Sequence, residues 1–406
     1  MARRVGARTA ESLAASVLLR VPALTDALVR IIYQQNPGYL AVNSVPADDL
    51  WQSCHDNITR IVQLIAGAEH VAADDYFDAA HATGARRAGQ RMPLEDVLRS
   101  FRLGGRLVWE ALIDQAREQG GVDRDALLDM ATRVWEVIDT TSSQVAVAYH
   151  QAERQLVRAD EQRRATLWEG LLRGRAKELA FAYEAARIIG VPVEGRYAVV
   201  AVDVRAEDDQ DDTTTALLRR RLTAAGVDSA WQVRANTLVG LLALEGATTD
   251  AALAALRGSV DAPAGLSAVV SGLSDVDVAY RQATLARQTL PPGRIEVAAL
   301  TERLPEALLL SSPELAEQLV RRWLDPLLKL PAAERQLLLD TLETWVATAR
   351  SIRRTAELAH CHRNTVLNRL HRINAITGRD LTGAGVQVEL SLALRAARLL
   401  PAVQHR

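Results

Sequence analysis

Apolar residues recur at helical spacing through most of the first 150 positions. In DDLWQSCHDNITRIVQLIAG, residues Leu50, Cys54, Ile58, Ile61 and Leu64 fall on one stripe, and Asp48 or Asp49 stands where an N-cap belongs. MPLEDVLRSFRLGGRLVWEALIDQARE places Pro93 in a first turn, with Leu94, Val97, Leu98, Phe101, Leu107, Val108 and Leu112 along one face. Gly104-Gly105 interrupts that face, as a kink or a close helix contact requires. From Asp129 to Gly174 the helical pattern hardly breaks. Its middle, HQAERQLVRADEQRRAT, is polar and lacks proline and glycine, which predicts a long connecting helix suited to pairing across a dimer. The a/d spacing is too poor for a coiled coil.

The pattern changes at RYAVVAVDV (Arg196 to Val204), a β-rich run bounded by Gly195 and the acidic AEDDQDD. A helix from Thr213 to Ala225, strands SAWQVRA and TLVGLLAL, a helix from Thr249 to Val260, a strand LSAVVSG and a helix from Asp275 to Leu290 follow, and PPG closes the series. This order predicts an α/β domain with a mixed sheet. After Thr301 the chain reads as helical again. Leu337, Leu338, Leu342, Trp345 and Val346 form a stripe, then SIRRTAELA with Ser351 as N-cap, the tight HCH, and RNTVLNRLHRINAITG ending at Gly378, a good C′ glycine. The expected fold is multidomain and mainly α. It comprises a helical bundle at 10–150, a connecting helix at 151–174, an α/β domain at 175–300 and a helical region at 301–406 whose helix-turn-helix occupies about 337–400.

Charge sharpens the picture. The net charge is −2, but residues 350–379 hold seven arginines against Glu357 alone, roughly +6 over about thirty residues, leaving about −8 elsewhere. One basic patch on an otherwise acidic chain points to a surface for polyanions. Two distant cysteines make no disulfide framework and fit a reduced, cytoplasmic protein. No apolar run approaches the ~20 residues of a membrane span, and MARRVGARTAESLAASVLLR reads as a frayed leader entering a helix rather than a signal peptide.

The 351–378 segment has the spacing of a helix-turn-helix. Ala356 is small where the helices would cross, Cys361 takes the apolar turn position, and Val366, Leu370, Ile373 and Thr377 share an inward stripe. About half a turn away lie Asn364, Asn368 and His371, flanked by Thr365 and Arg372. Asparagine can pair with adenine, and arginine with guanine or phosphate, from the major groove. The candidate DNA-contacting set is Arg353, Arg354, His362, Arg363, Asn364, Thr365, Asn368, Arg369 and Arg372, with Arg353 and Arg354 as phosphate anchors on the first helix. The turn position that often holds a glycine with φ > 0 is His360, which tolerates that region at modest cost. The competing reading is a solvated basic helix pair in an ordinary bundle.

TAELAHCHRNTVLNRLHRINAITG resembles the C-terminal helix-turn-helix of the PucR/CdaR family of bacterial transcription regulators, with its HRNTV-type recognition helix, RL-x-RI repeat and closing glycine. LLLDTLETWV before it and VELSLALRAARLL after it also fit. LLRG, GRYAVVAVDV and AYRQATLARQTL are similar to the family's GGDEF-like module, and RAGQRMPLEDVLRSFRLGGRLVWEAL resembles the helical sensor domain of RsbT co-antagonist type. The resemblance implies a transcription regulator, a homodimer or larger homo-oligomer, with sensing of a small-molecule effector or other signal placed before the DNA-binding domain.

Enzymatic chemistry finds no support in the residues. Diguanylate cyclisation needs a glycine pair and acidic metal ligands between the central strands. That loop reads VRANTLV, and Asp203 is the one remnant of a ligand. EDDQDD (207–212) lacks the glycine and terminal glutamate of an EF-hand, HCH is too short to converge on one ion, and Cys54 beside His55 falls on the apolar stripe. We therefore expect no catalytic, cofactor or metal residues. The alternative function is an interaction scaffold in stress signalling whose helix-turn-helix binds no DNA.

Overall fold

The computed structural model describes residues 11–41, 45–67, 76–119, 124–204, 211–291, 293–381, 383 and 385–400. The leader at 1–10 and residues 207–210 of the acidic loop lie outside them. Two compact units divide the chain, Met1–Arg163 and Arg164–Arg406.

The first unit is helical: α1 (Glu11–Leu18), α2 (Val21–Gln35), α3 (Gly38–Ala41), α4 (Ala47–Ala66), α5 (Asp78–Gly89), α6 (Leu94–Glu118) and the N-terminal part of α7 (Arg124–Leu172). Its core joins Leu28 and Ile32 of α2, Ile58 and Val62 of α4, Val108 and Leu112 of α6, and Val134 and Val145 of α7. The glycine pair marks close packing, since α6 runs through it unbroken. A Cβ on Gly105 would stand 2.4 Å from Ile138 Cδ1, and one on Gly104 3.2 Å from Leu28 Cδ2. Two local expectations are corrected. Neither Asp48 nor Asp49 caps α4, whose N-cap is Pro46. Asp49 instead turns to Arg86 and Arg87 of α5, because a carboxylate gains more from two guanidiniums than from one amide. The α4 stripe ends on Ile65 rather than Leu64, which is only half-buried.

The helix α7 has 49 residues and contains the segment HQAERQLVRADEQRRAT, whose lack of proline and glycine predicts a long helix. Its polar middle is exposed, Leu156 and Val157 included.

The second unit continues with α8 (Leu179–Ile189), β1 (Arg196–Asp203), α9 (Asp211–Ala224), β2 (Asp228–Arg234), β3 (Thr237–Ala243), α10 (Thr249–Arg257), β4 (Ala264–Leu266), β5 (Val270–Ser271), α11 (Val276–Gln288) and β6 (Val297–Ala299). The strand order is β2-β3-β1-β4-β6, with β5 also on β1. The pairs are antiparallel except β4 with β6. Tyr197, Val199 and Ala201 of β1 face α8 and α11, whereas Ala198, Val200 and Val202 face α9 and α10. A strand buried on both sides must be apolar throughout, which is why RYAVVAVDV shows no alternation. The strand expected over LSAVVSG does not form as one run, since β4 ends on its first residue, Leu266, and β5 takes only Val270–Ser271, and β6 follows PPG although no strand is expected there.

The chain ends in helices α12 (Leu304–Ser311), α13 (Pro313–Trp323), α14 (Asp325–Leu328), α15 (Ala332–Ala347), α16 (Ile352–Leu358), α17 (Arg363–Thr377) and α18 (Val386–Leu399). Leu338, Leu342 and Trp345 of α15 point inward with Val320, Leu324, Leu390 and Leu394, while Leu337, expected on that stripe, is exposed.

Candidate nucleic-acid interface

The helix pair α16–α17 is built locally by caps and a strained turn. Ser351 Oγ accepts the amide of Arg354 and opens α16. His360 takes φ 47°, the left-handed turn position assigned to it from sequence. Cys361 N donates to Ala356 O at 3.0 Å and closes the turn. His362 is the N-cap of α17, its Nδ1 accepting the Asn364 amide at 3.3 Å. In the neutral ring this leaves the proton on Nε2, a donor available to an outside acceptor. Gly378 ends α17 with φ 63°.

Packing fixes which face looks out. Val366, Leu370 and Ile373 are buried against Leu338, Leu342 and Trp345, each contributing about 1.5–3 kcal/mol. Ala356 is buried at the crossing, and Thr355 Oγ1 lies 2.8 Å from Thr348 Oγ1. Helical geometry then sends Asn364, Asn368, His371 and Arg372 to the opposite side, and all four are exposed. Thr365 is half-buried beside them. A concavity between the two helices is lined by Arg353, Ala356, Glu357, Cys361, His362, Arg363 and Asn364.

The candidate arginines separate into three environments. Arg354 and Arg363 are exposed, and neither has an ion-pair partner among the described residues. Arg353 and Arg372 are exposed but share their charge, Arg353 with Glu357 at 3.0 Å and Arg372 with Glu334 of α15 at 2.5 Å. Arg369 is half-buried and donates to Thr341 Oγ1 of α15 at 3.1 Å, holding the second helix to the body of the domain. Two further arginines of the basic segment stack on tryptophan, Arg350 on Trp345 and Arg379 on Trp323, with 5.5 and 5.2 Å to the ring centroids. The outward positive charge is thus carried by Arg353, Arg354, Arg363 and Arg372. Glu334 and Thr341 were missed from sequence, because 38 and 28 residues separate them from the arginines they hold and no local pattern marks the contacts.

Elsewhere Asp203, the remnant acidic position of the α/β domain, is engaged by the Arg287 guanidinium, which also donates to Thr237 Oγ1 at 3.0 Å. Among the described residues no cluster of three or more His, Cys, Asp and Glu side chains has a metal-binding arrangement. No single helix among them is long and apolar enough to cross a membrane.

Three family models match the sequence in series: the RsbT co-antagonist protein rsbRD N-terminal domain over 22–164, the GGDEF-like domain over 173–289, and the PucR C-terminal helix-turn-helix domain over 338–396. The purine catabolism regulatory protein of Bacillus subtilis (strain 168) is 32% identical over 140 residues, 34% of this chain and 26% of that one. The chain thus matches about a quarter of that relative's length. The crystal structure of a regulator of polyketide synthase expression from Bifidobacterium adolescentis is similar over 57% of this chain and 96% of its own. With 23% identity and a TM-score of 0.31, that likeness carries no argument. The chain is thus similar to PucR-type regulators in the order of its domains, an RsbRD-type N-terminal domain, a GGDEF-like domain and a PucR-type helix-turn-helix.

Proposed function

We propose that the protein is a sequence-specific DNA-binding transcription regulator acting in the cytoplasm as a homodimer or larger homo-oligomer. The observation that carries the reading is the outward face of α17. It presents two asparagines and a histidine at helical spacing, with exposed arginines at its N-terminus and on α16, while the opposite face is sealed into the core. Placed in a major groove, the N-terminal part of α17 brings Asn364 and Asn368 to base edges, and Arg353, Arg354 and Arg363 to phosphates. Similarity to a purine catabolism regulatory protein supports regulation as the activity. The α/β domain has a supporting rather than catalytic part, since Arg287 occupies the carboxylate that a metal would need. The exposed middle of α7 supplies the surface for pairing and for passing a signal toward the DNA-binding domain.

The test is fluorescence anisotropy of the full chain on DNA from upstream of its own gene, against scrambled duplex, across a salt series. Selective binding with a steep salt slope is expected. Equal weak binding to both duplexes, together with capture of a partner protein by the N-terminal bundle, would instead favour the scaffold reading.

A further inference from the structure

The basic segment 350–379 holds seven arginines and a single carboxylate, Glu357. That carboxylate stands among the side chains proposed to touch DNA. It lines the concavity between α16 and α17 together with Arg353, Cys361, His362, Arg363 and Asn364. Its side chain is 60% exposed. Oε1 accepts from Arg353 Nε at 3.0 Å, and Oε2 takes no hydrogen bond among the described residues.

Helix stability does not account for this residue. α16 spans Ile352–Leu358, so Glu357 sits in its last turn, where the carbonyl ends of the peptide dipoles repel a carboxylate. In its ion pair the arginine precedes the acid by four residues, which is the weaker order for such a pair on a helix. The Arg353 side chain is 74% exposed, and pairs so open to water contribute little. Glu357 therefore acts mainly on what enters the concavity.

Its chemistry is selective there. An ionised carboxylate only accepts hydrogen bonds. Phosphate oxygens are themselves negative acceptors, so a phosphate in the concavity is drawn by Arg353 and Arg363 but repelled by Glu357. The donors that DNA offers in the major groove are the amino groups of cytosine and adenine. Adenine N6 lies beside the N7 acceptor, a pattern that suits the amides of Asn364 and Asn368 and opposes a carboxylate. Cytosine N4 has no acceptor beside it on the major-groove edge and is the base group that glutamate takes up.

We propose that Glu357 is a specificity-determining residue, which accepts through Oε2 from the N4 amino group of one cytosine in the target site and keeps phosphate out of the concavity on other sequences. Arg353, bound to Oε1, steadies the carboxylate for that contact. The inference rests on the DNA-binding reading above and names a base class for it.

The experiment begins with selection of a duplex from a random library by the full wild-type chain. Anisotropy then compares the wild type, Glu357→Gln and Arg353→Ala, with and without Glu357→Gln, on the selected and on scrambled duplexes across a salt series. Glu357→Gln should bind scrambled duplex about three- to fivefold more tightly, the size of one exposed charge interaction, and the selected duplex no more tightly than the wild type does. The gain should persist in the Arg353→Ala background, because the carboxylate itself meets the phosphate. It should fade as salt approaches about 1 M, where screening acts within about 3 Å. At one cytosine of the selected site, exchange for thymine replaces the amino donor by a carbonyl. That exchange should weaken the wild type by about fivefold or more and Glu357→Gln by less than about twofold. Equal gains on both duplexes overturn the proposal, since Glu357 would then only lower the net charge. No change on either duplex overturns it by leaving a solvated pair, and loss of the gain without Arg353 overturns it by making Glu357 a mere offset to that arginine. Absence of any such cytosine overturns it too. A wild type that selects no duplex overturns the DNA-binding reading itself, so the two failures are told apart.

Discussion

Replacing Arg369 by alanine separates a side chain that holds the helix from the side chains proposed to touch DNA. In the sequence all the arginines of the basic segment look alike, but Arg369 Nη1 is bound to Thr341 Oγ1 at 3.1 Å and its stem is half-buried. Thr341 keeps its own donor bond to Leu337 O at 2.7 Å, so Arg369→Ala strands no buried hydroxyl. The loss is that of one hydrogen bond with some stem packing, about 0.5–1.5 kcal/mol. For a cooperative unit of this size that lowers Tm by about 1–6 °C. The slope of log K against log salt should stay as in the wild type. Arg354→Ala and Arg363→Ala, at exposed positions without ion-pair partners among the described residues, should each lower the slope by about 0.9 and leave Tm unchanged. Arg372→Ala should give a smaller decrease, because Glu334 already offsets part of its charge. The assays are differential scanning calorimetry and anisotropy across a salt series. A full-unit fall in slope for Arg369→Ala at an unchanged Tm would refute the assignment, since it would mean that this side chain leaves Thr341 for a phosphate.

Asn364→Ala and Asn368→Ala should each cost about 1–3 kcal/mol on the specific duplex and nothing on random DNA, measured by competition anisotropy. Gly105→Ala should destabilise the N-terminal bundle in urea titrations by about 1–3 kcal/mol of overpacking, less about 1 kcal/mol regained in helix propensity. Because the new Cβ would lie 2.4 Å from Ile138 Cδ1, adding Ile138→Val should restore much of the loss. Burial works to raise the Asp49 carboxyl, but hydrogen bonds from Arg86, Gln90 and Arg87 prevail and hold it at about 2, below the ordinary 3.8. Its stabilising contribution is therefore complete above the ordinary value and is lost as pH falls toward about 2. Asp49→Asn should lower Tm at neutral pH and flatten the decline across that acid window. Inserting two residues into the exposed middle of α7 rotates the C-terminal half of that helix by about 200° and should uncouple effector response from DNA binding, checked by anisotropy with and without effector.

The sequence by itself determined the elements that depend on neighbours within a turn or two. Periodicity gave α4, α6, α7 and α17, the N-cap at Ser351 and the C′ glycine at Gly378 follow from local backbone chemistry, and even the left-handed turn at His360 was legible from spacing. The outward face of α17 was legible too, because an apolar stripe on a helix defines its own opposite side. What only the tertiary structure decided involves partners far apart in the chain. β6 is three residues long and exists through parallel pairing with β4, so no run of its own announces it. Asp49 was read as a cap because local sequence shows the helix start but not Arg86 and Arg87 on another helix. The basic segment was counted as one patch, whereas folding gives Arg369 to Thr341, stacks Arg350 and Arg379 on tryptophans, and sets Glu334 against Arg372. Short-range order is written in the spacing of residues along the chain, while charge partners and cavities are fixed only when packing brings distant side chains together.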